Sequence, residues 1–351
     1  MPRCSSQSLT GASLPRRALL IGTAALAVAG CTKSSTMTAS RTPVMDLAAL
    51  AKDVAAISGR AKPGVLGFGV MNLESGQMWT LNGERPFPMQ SVFKAAVGAA
   101  VLAEVDAGRL ALAESLSIGE KQLSPPHSPI ANAWPGRTIY TLDELLVAAV
   151  SDSDNTAVDI LMKRIGGPGA VTAWLQSRKV DEVRIDRYER ELQPEALGLA
   201  PFRPAWKGAA FDAALATVPP DRQRAATQAY LRDPRDTATP NGMLGFLGKL
   251  EAGELLSAAS TRRLVTIMAR SPRGPERLKA GFPKGATFAH KIGTGSSNQG
   301  LTTAYNDVGI LTLADHRSYA VVAFLTGSTA PQAARATLLA DLGRAVMAHI
   351  G

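Results

Sequence analysis

The stretch S-V-F-K-A-A-V-G-A-A-V-L-A-E, residues 91–104, predicts an apolar helix that begins with a serine and carries a lysine three residues later. Residues three apart share a face of a helix, so Lys94 is expected within hydrogen-bonding reach of the Ser91 hydroxyl. The start of a helix also offers unpaired backbone N–H groups and the positive end of the helix dipole. Ser91 is therefore a candidate nucleophile, although a helix-capping serine followed by a solvated lysine would give the same pattern.

Three further motifs follow along the chain. They read S-D-N at residues 153–155, R-Y-E-R-E-L at 187–192 and K-I-G-T-G at 291–295. Together they supply a second hydroxyl, an amide, a carboxylate at Glu189 and a second lysine at Lys291. A serine with these partners is equipped for acyl transfer through a covalent serine ester. Each motif alone is common by chance, whereas all four in this order and at this spacing rarely occur together by chance.

The four motifs resemble the pattern of the class A serine β-lactamases, which is S-x-x-K, S-D-N, a glutamate and K-T-G. The resemblance covers most of residues 46–351. It implies an α/β plus all-α fold of two lobes, with an antiparallel sheet built from both termini. It also implies hydrolysis of the β-lactam amide of penicillins or cephalosporins, giving antibiotic resistance, by a monomer that needs no cofactor.

The resemblance gives each motif residue a role. Ser91 is the nucleophile, Lys94 is its catalytic partner, and Ser153 shuttles a proton to the departing lactam nitrogen. Glu189 activates the water that hydrolyses the acyl-enzyme. The backbone N–H groups of Ser91 and Thr294 form the oxyanion hole, which stabilises the negative charge of the tetrahedral intermediate.

Further residues are expected to bind the substrate. They are Asn155, Gln193, Arg277, Lys291, Thr294 and Ser296. Gln193 occupies the place where the family often has an asparagine that holds the water. Arg277 suits a substrate carboxylate and, with Gln90 and Asp159, resembles a subgroup that includes broad-spectrum cephalosporin-hydrolysing enzymes. Ile292 departs from the usual Thr or Ser, but strand alternation should turn it away from the face of Lys291.

Apolar periodicity predicts strands near both ends of the chain and helices between them. The expected strands cover residues 64–72, 77–81, 286–292, 305–313 and 318–325, and the outermost helices cover 45–58 and 330–349. Strands from both ends imply a single sheet to which both termini contribute. We expect one catalytic domain over residues 45–351, with a helical lobe at about 89–280 and the site between the lobes.

The chain between Glu189 and Asp236 is longer than the family pattern. Arg187 and Asp236 match the pair that closes the neck of the Ω-loop, the loop that carries the family's glutamate. The extra segment covers residues 198–232 approximately and contains aromatic residues, among them Tyr230, that are expected to be buried. Two short helices are predicted, at residues 209–216 and 221–231. The insertion either forms a lid that narrows substrate choice or displaces Glu189 and slows turnover.

The composition favours a large globular domain without nucleic-acid partners. Of the 351 residues 46% are apolar, enough for one large core or two modest ones. The formal charge is +9, but three arginines of residues 1–30 contribute to it, and no dense basic run follows. No metal site is expected, because no cysteine follows residue 31 and the four histidines are isolated in the sequence: His127, His290, His316 and His349.

The sequence of residues 1–30 is typical of a signal peptide. An apolar run at 18–29 leads into L-A-V-A-G-C, which resembles a lipoprotein signal that ends at a lipidated Cys31; an ordinary small-residue cleavage site is the alternative. Arg16 and Arg17 fit either a twin-arginine export signal or a generic basic segment. The apolar run is too short for a permanent membrane span. We therefore expect an exported, periplasmic protein anchored to the membrane by lipid on Cys31, with residues 31–44 as the tether.

Two other functions share part of this equipment. A penicillin-binding DD-peptidase uses the same serine, lysine and K-x-G pattern but has no need of a deacylating carboxylate, so the intact segment around Glu189 favours hydrolysis. A β-lactam sensor would be acylated at Ser91 and would stay acylated, which would require a slow Glu189.

Overall fold

The structure is a computed structural model that describes residues 44–203 and 206–351. The predicted signal peptide and tether, including Cys31, lie outside these ranges apart from Val44, which is exposed. None of the helices within the described ranges has both the length and the apolar character needed to cross a membrane.

Five strands form an antiparallel sheet to which both ends of the chain contribute. The strands of the described residues are β1 (Val65–Asn72), β2 (Met78–Leu81), β3 (Phe87–Pro88), β4 (Ser115–Ser117), β5 (Ile139–Thr141), β6 (Thr237–Ala238), β7 (Thr287–Thr294), β8 (Ser297–Asn298), β9 (Leu301–Thr302), β10 (Tyr305–Thr312) and β11 (Ser318–Thr326). The order in the large sheet is β2-β1-β11-β10-β7, so β1, near the start of the chain, pairs with β11, near its end. The prediction of a sheet completed by both termini is confirmed.

Most of the chain between β3 and β7 is helical. The α-helices are α1 (Leu47–Gly59), α2 (Phe93–Asp106), α3 (Pro129–Ala133), α4 (Leu142–Val150), α5 (Asn155–Arg164), α6 (Pro168–Ser177), α7 (Glu189–Leu197), α8 (Ala209–Ala216), α9 (Pro220–Tyr230), α10 (Pro240–Glu251), α11 (Ala258–Ala269) and α12 (Gln332–His349). The outermost helices, α1 and α12, pack together. The two-lobed α/β plus all-α class predicted from the sequence is confirmed.

The two faces of the sheet enter different cores because side chains alternate along a strand. On β11, Val321 and Ala323 pack into a core with α1 and α12. Their neighbours Val322 and Phe324 face the other way and pack into the larger core that contains α2, α4 and α5. The sheet thereby supports the helical lobe on one face, and its edge strand β7 lies beside the start of α2.

The segment between Arg187 and Asp236 forms a closed loop that carries three helices, α7, α8 and α9. Its neck is held by the Arg187 guanidinium, which donates to Oδ2 of Asp236 at 2.6 Å. The same guanidinium lies 2.8 Å from a carboxylate oxygen of Glu195 and 3.1 Å from one of Asp233. Arg187 and Asp236 are both almost fully buried, so this ion pair is shielded from water.

Arg187→Ala is expected to destabilise the protein by about 3–5 kcal/mol, because it leaves a buried carboxylate without its partner. The matched control is Arg184→Ala, which removes a half-exposed arginine paired with Asp186 just before this segment and should cost less than about 1 kcal/mol. Urea denaturation of both variants measures the difference. Equal, small losses of unfolding free energy would show that the neck pair does not hold the loop.

Candidate active site

Ser91 lies in a single turn of 3₁₀ helix, Gln90–Val92, that runs directly into α2. The expectation that Ser91 opens the α-helix itself is therefore corrected, because the tighter turn comes first. Gln90 has φ +49°, in the left-handed region that non-glycine residues seldom adopt. In this first turn the N–H group of Ser91 has no intrahelical acceptor and is available to a ligand.

Strands β10 and β7 of the sheet contact the backbone just before Ser91 and hold its turn in place. The side-chain amide of Asn306 on β10 donates to the carbonyl oxygens of Pro88 and Met89, at 2.9 and 3.1 Å. Strand β7 also approaches closely, since a Cβ on Gly293 would lie 2.2 Å from the carbonyl oxygen of Met89. Glycine is therefore required at position 293 for the K-I-G-T strand to lie beside the serine.

Lys94 is fully buried and bonds to the S-D-N turn. Its Nζ donates to the carbonyl oxygen of Ser153 at 2.7 Å and to Oδ1 of Asn155 at 2.5 Å. It also lies 3.0 Å from Oε1 of Glu189. The expected hydrogen bond from Lys94 to the Ser91 hydroxyl is not among those of the described residues, because two of the three N–H groups are directed at the S-D-N turn.

Ser153 joins the two lysines of the site. While its carbonyl oxygen accepts from Lys94, its Oγ accepts from Nζ of Lys291 at 3.0 Å. This double contact requires an unusual backbone, and Ser153 has φ +67°. Burial, followed by the nearby charge of Lys94, lowers the pKa of Lys291 well below its ordinary value.

Asp154 fixes the S-D-N turn to the helical lobe. Its carboxylate caps α5 by accepting from the N–H of Ala157 at 2.8 Å. It also accepts from the hydroxyl of Ser128 at 2.9 Å and from the N–H of Ile130 at 2.8 Å. Ser153 and Asn155, on either side of Asp154, are thus free to face the site.

Glu189 is the first residue of α7 and is buried against Lys94. Its Oε2 accepts a hydrogen bond from the side-chain amide of Gln193, one turn later, at 2.7 Å. Its Oε1 is buried, lies 3.0 Å from Nζ of Lys94 and accepts no directed hydrogen bond within the described residues, so it retains acceptor capacity. Glu189 thus stays in contact with Lys94 despite the long segment that follows it, and the effect of that segment on turnover stays a prediction.

A second buried carboxylate fixes the start of α7. Asp159 on α5 accepts from the backbone N–H groups of Glu189 and Arg190, at 2.7 and 3.1 Å, and from the Ser124 hydroxyl at 2.6 Å. Burial, which the Ser124 hydrogen bond opposes and the charge of Glu189 reinforces, raises the pKa of Asp159 to about 7. These contacts fix the start of α7 so that the Glu189 side chain lies against Lys94.

The end of β7 presents an N–H group at the open edge of the sheet. Gly295 donates its N–H to the carbonyl of Ala304 at 2.8 Å, so strand alternation directs the N–H of Thr294 away from β10. The Thr294 side chain is exposed, and its hydroxyl accepts from Arg277 at 2.6 Å. Ser296 follows, half-buried, just beyond the strand.

Arg277 lies behind the strand rather than openly in the cleft. It is 3% exposed, and its guanidinium donates to the carbonyl oxygens of Gly293 and Asn306, at 3.2 and 2.7 Å. It also stacks on the ring of Tyr305, 3.7 Å from the centroid. Arg277 therefore contacts the Thr294 hydroxyl directly and adds positive charge beside β7.

The structure brings most of the predicted residues into one cluster. Lys94, Ser153, Asn155, Glu189, Gln193 and Lys291 are linked by contacts of 3.2 Å or less, beside Ser91. Within the described residues, no three His, Cys, Asp or Glu side chains form a group that could hold a metal ion. One participant was missed: Tyr230 of the insertion was expected only to be buried, yet its hydroxyl contacts Gln90. No pattern in the sequence marks this contact.

The cluster has the parts needed for acyl transfer and for hydrolysis of the resulting ester. A serine hydroxyl lies beside N–H groups that can bind an oxyanion, with two lysines and a hydroxyl available for proton movement. A carboxylate with a free acceptor position can orient and deprotonate water.

Comparison with known proteins agrees with this geometry. The model of the β-lactamase enzyme family matches residues 49–350. β-Lactamase VEB-1 of Pseudomonas aeruginosa is 29% identical over 288 residues, which cover 81% of this chain and 85% of the relative. Extended-spectrum β-lactamase PER-1 of the same organism is 30% identical over 290 residues, 82% of each chain.

Solved structures give the same result. The crystal structure of a β-lactamase from Chitinophaga pinensis superposes with a TM-score of 0.71 at 32% identity, covering 84% of this chain and 97% of that one. An ancestral class A β-lactamase, that of the last common ancestor of Gram-negative bacteria, gives a TM-score of 0.70 at 32% identity, with coverage of 85% and 99%. The chain therefore belongs to the β-lactamase enzyme family and has the class A β-lactamase fold.

Proposed function

We propose that this protein hydrolyses the β-lactam amide of penicillins and cephalosporins, and thereby protects its cell from these antibiotics. The observation that carries the proposal is the fully buried contact of Lys94 with Glu189, at 3.0 Å, beside the Ser91 turn. A serine enzyme that only needs to be acylated has no use for a carboxylate held in that position.

In the acylation step, Oγ of Ser91 attacks the lactam carbonyl carbon and its proton passes to the pair formed by Lys94 and Glu189. The carbonyl oxygen becomes negatively charged and accepts from the N–H groups of Ser91 and Thr294. The C–N bond of the lactam then breaks. The nitrogen leaves with that proton, which returns from the pair through Lys94 and the hydroxyl of Ser153, so Glu189 is again ionised. The hydrogen bond from Lys291 holds the Ser153 hydroxyl in place.

In the deacylation step, Glu189 takes a proton from a water molecule that attacks the ester carbonyl carbon. Gln193 fixes the carboxylate through its bond to Oε2, which leaves Oε1 to face the water. The ester C–O bond breaks, and Ser91 recovers its proton. The product is the open acid, and the enzyme is regenerated.

Substrate recognition is assigned to the two sides of the cluster. On the S-D-N side, the amide of Asn155 contacts the acylamide oxygen of the substrate. On the β7 side, Lys291 with the hydroxyls of Thr294 and Ser296 binds the substrate carboxylate. Arg277 supports this contact by holding the Thr294 hydroxyl at 2.6 Å. Gln90, Asp159 and Arg277 support membership of the cephalosporin-hydrolysing subgroup.

The other candidates, a DD-peptidase and a sensor that stays acylated, are disfavoured by the same observation. Both require an acyl-enzyme that persists or passes to another acceptor, and neither needs the Glu189 carboxylate that contacts Lys94 and Gln193. We further propose that the protein is exported and works as a monomer in the periplasm, anchored by lipid on Cys31. The sequence L-A-V-A-G-C supports the anchor.

Glu189→Gln is expected to lower kcat by about 10²- to 10⁴-fold, because an amide cannot take the proton of the attacking water. The acyl-enzyme should accumulate, and intact-protein mass spectrometry should find the mass of the opened β-lactam on Ser91. Glu191→Gln is the matched control on the exposed side of α7 and should leave turnover unchanged. Ser91→Ala should gain no mass; turnover of Glu189→Gln at the wild-type rate would refute its role.

The lowered pKa of Lys291 predicts an alkaline loss of affinity. As the pH rises through this lowered pKa, the side chain loses its charge at a lower pH than an ordinary lysine. KM for substrates that carry a carboxylate should then rise by about 10- to 100-fold, the effect of losing a hydrogen bond to a charged group. In Lys291→Arg the rise should move to higher pH, since a guanidinium stays protonated. Superimposable pH profiles of KM for the wild type and Lys291→Arg would contradict this role of Lys291.

A further inference from the structure

We propose that α9 of the insertion is a brace that positions Glu189 for deacylation, and that Tyr230 is its positioning residue. The insertion is here the segment 198–232, which contains α8 and α9. The inference rests on the proposed function, since it concerns the step in which Glu189 activates water. It adds to that function a role for a segment outside the catalytic motifs.

A chain of side-chain hydrogen bonds runs from Tyr230 to Glu189. The amide nitrogen of Gln90 donates to the Tyr230 hydroxyl at 2.7 Å. The amide oxygen of Gln90 accepts from Nε2 of Gln193 at 3.2 Å, and the same Nε2 donates to Oε2 of Glu189 at 2.7 Å. Two amides thus connect the insertion to the carboxylate, and the first of them belongs to the residue before Ser91.

The Tyr230 hydroxyl anchors the outer end of this chain. The Glu189 carboxylate can only accept, so the donor end of Gln193 faces it, and the acceptor end of Gln90 faces that same donor. The donor end of Gln90 is thereby directed at the Tyr230 hydroxyl, which accepts from it. Without the hydroxyl, a buried N–H group of Gln90 loses its partner, so Gln90 can turn away from Gln193, which weakens the hold on Glu189.

Tyr230 is itself held against the helix that carries Glu189. It is 4% exposed and packs in a small cluster with Leu192 and Ala196 of α7. Helix α9 approaches α7 closely, since a Cβ on Gly198 would lie 3.2 Å from the carbonyl oxygen of Arg222. Burial raises the pKa of Tyr230, which favours the neutral hydroxyl.

A neighbouring face of α9 contacts the hairpin formed by β8 and β9. The amide of Asn298 donates to the hydroxyl of Thr227 at 2.8 Å, and the amide of Gln299 donates to the carbonyl of Pro220 at 3.0 Å. Arg224 also donates to the side-chain oxygen of Gln299. Because this hairpin follows directly from the K-I-G-T strand, α9 is fixed between the two sides of the active site.

Tyr230→Phe in the full chain tests the brace, because it removes the hydroxyl and keeps the ring. Stopped-flow kinetics with a chromogenic cephalosporin should show the deacylation rate constant lowered about 3- to 10-fold, the size expected for one buried hydrogen bond. The acylation rate constant should stay within about twofold of wild type, so the steady-state fraction of acyl-enzyme rises. Intact-protein mass spectrometry measures that fraction independently.

A double-mutant cycle separates positioning from a general loss of stability. In a Gln193→Met background, which breaks the chain already, Tyr230→Phe should change deacylation by less than about twofold. Tyr140→Phe, which removes the hydroxyl of a buried tyrosine on β5, is the matched control and should change neither step.

Three results would overturn the brace: an unchanged deacylation constant in Tyr230→Phe, additive effects in the cycle, or an equal fall in both rate constants with a lowered Tm. Failure of the proposed function is distinguishable, because the wild-type protein would then show no sustained hydrolysis at all.

Discussion

The buried contact between Lys94 and Glu189 is the interaction on which the rest of the site depends. Both side chains are fully buried, so bulk water stabilises neither charge. A buried ion pair is tolerated only where further hydrogen bonds compensate for the lost hydration. The carbonyl of Ser153 and the amide of Asn155 bond Lys94, and Gln193 bonds Glu189. The S-D-N turn and the first turns of α7 therefore stabilise the Lys94–Glu189 pair, in addition to the roles proposed for them toward the substrate.

The segment between Arg187 and Asp236 keeps this pair intact because its ends are fixed by contacts outside α8 and α9. The Arg187–Asp236 neck and the hydrogen bonds to Asp159 hold the start of α7. Closure entropy grows slowly with loop length, so a loop that carries α8 and α9 is tolerated thermodynamically. They then make contacts of their own, and Tyr230 links them to the residue before the nucleophile.

Much of the fold and of the site was predictable from the sequence. The alternating apolar pattern predicted the strands of the sheet, and the motif order predicted that Ser91, Lys94, Ser153, Glu189 and Lys291 would lie near one another; their catalytic roles stay predictions. Other features depend on tertiary context. The left-handed φ of Gln90 and the 3₁₀ turn occur where Asn306 and β7 contact the residues before Ser91. Helix α7 also continues through an internal Pro194, which argues against a helix. The Tyr230–Gln90 contact joins positions 140 residues apart, which no local pattern records.

The central claim is that Glu189, held on Lys94, lets water release the acyl group from Ser91. The most direct test is to mix the purified protein with a chromogenic cephalosporin and to follow both the first seconds and the steady state. We predict sustained turnover, with many substrate molecules opened per enzyme. A burst of one opened molecule per enzyme, followed by no further hydrolysis, would contradict the account, because Ser91 would then be acylated while Glu189 failed to release it.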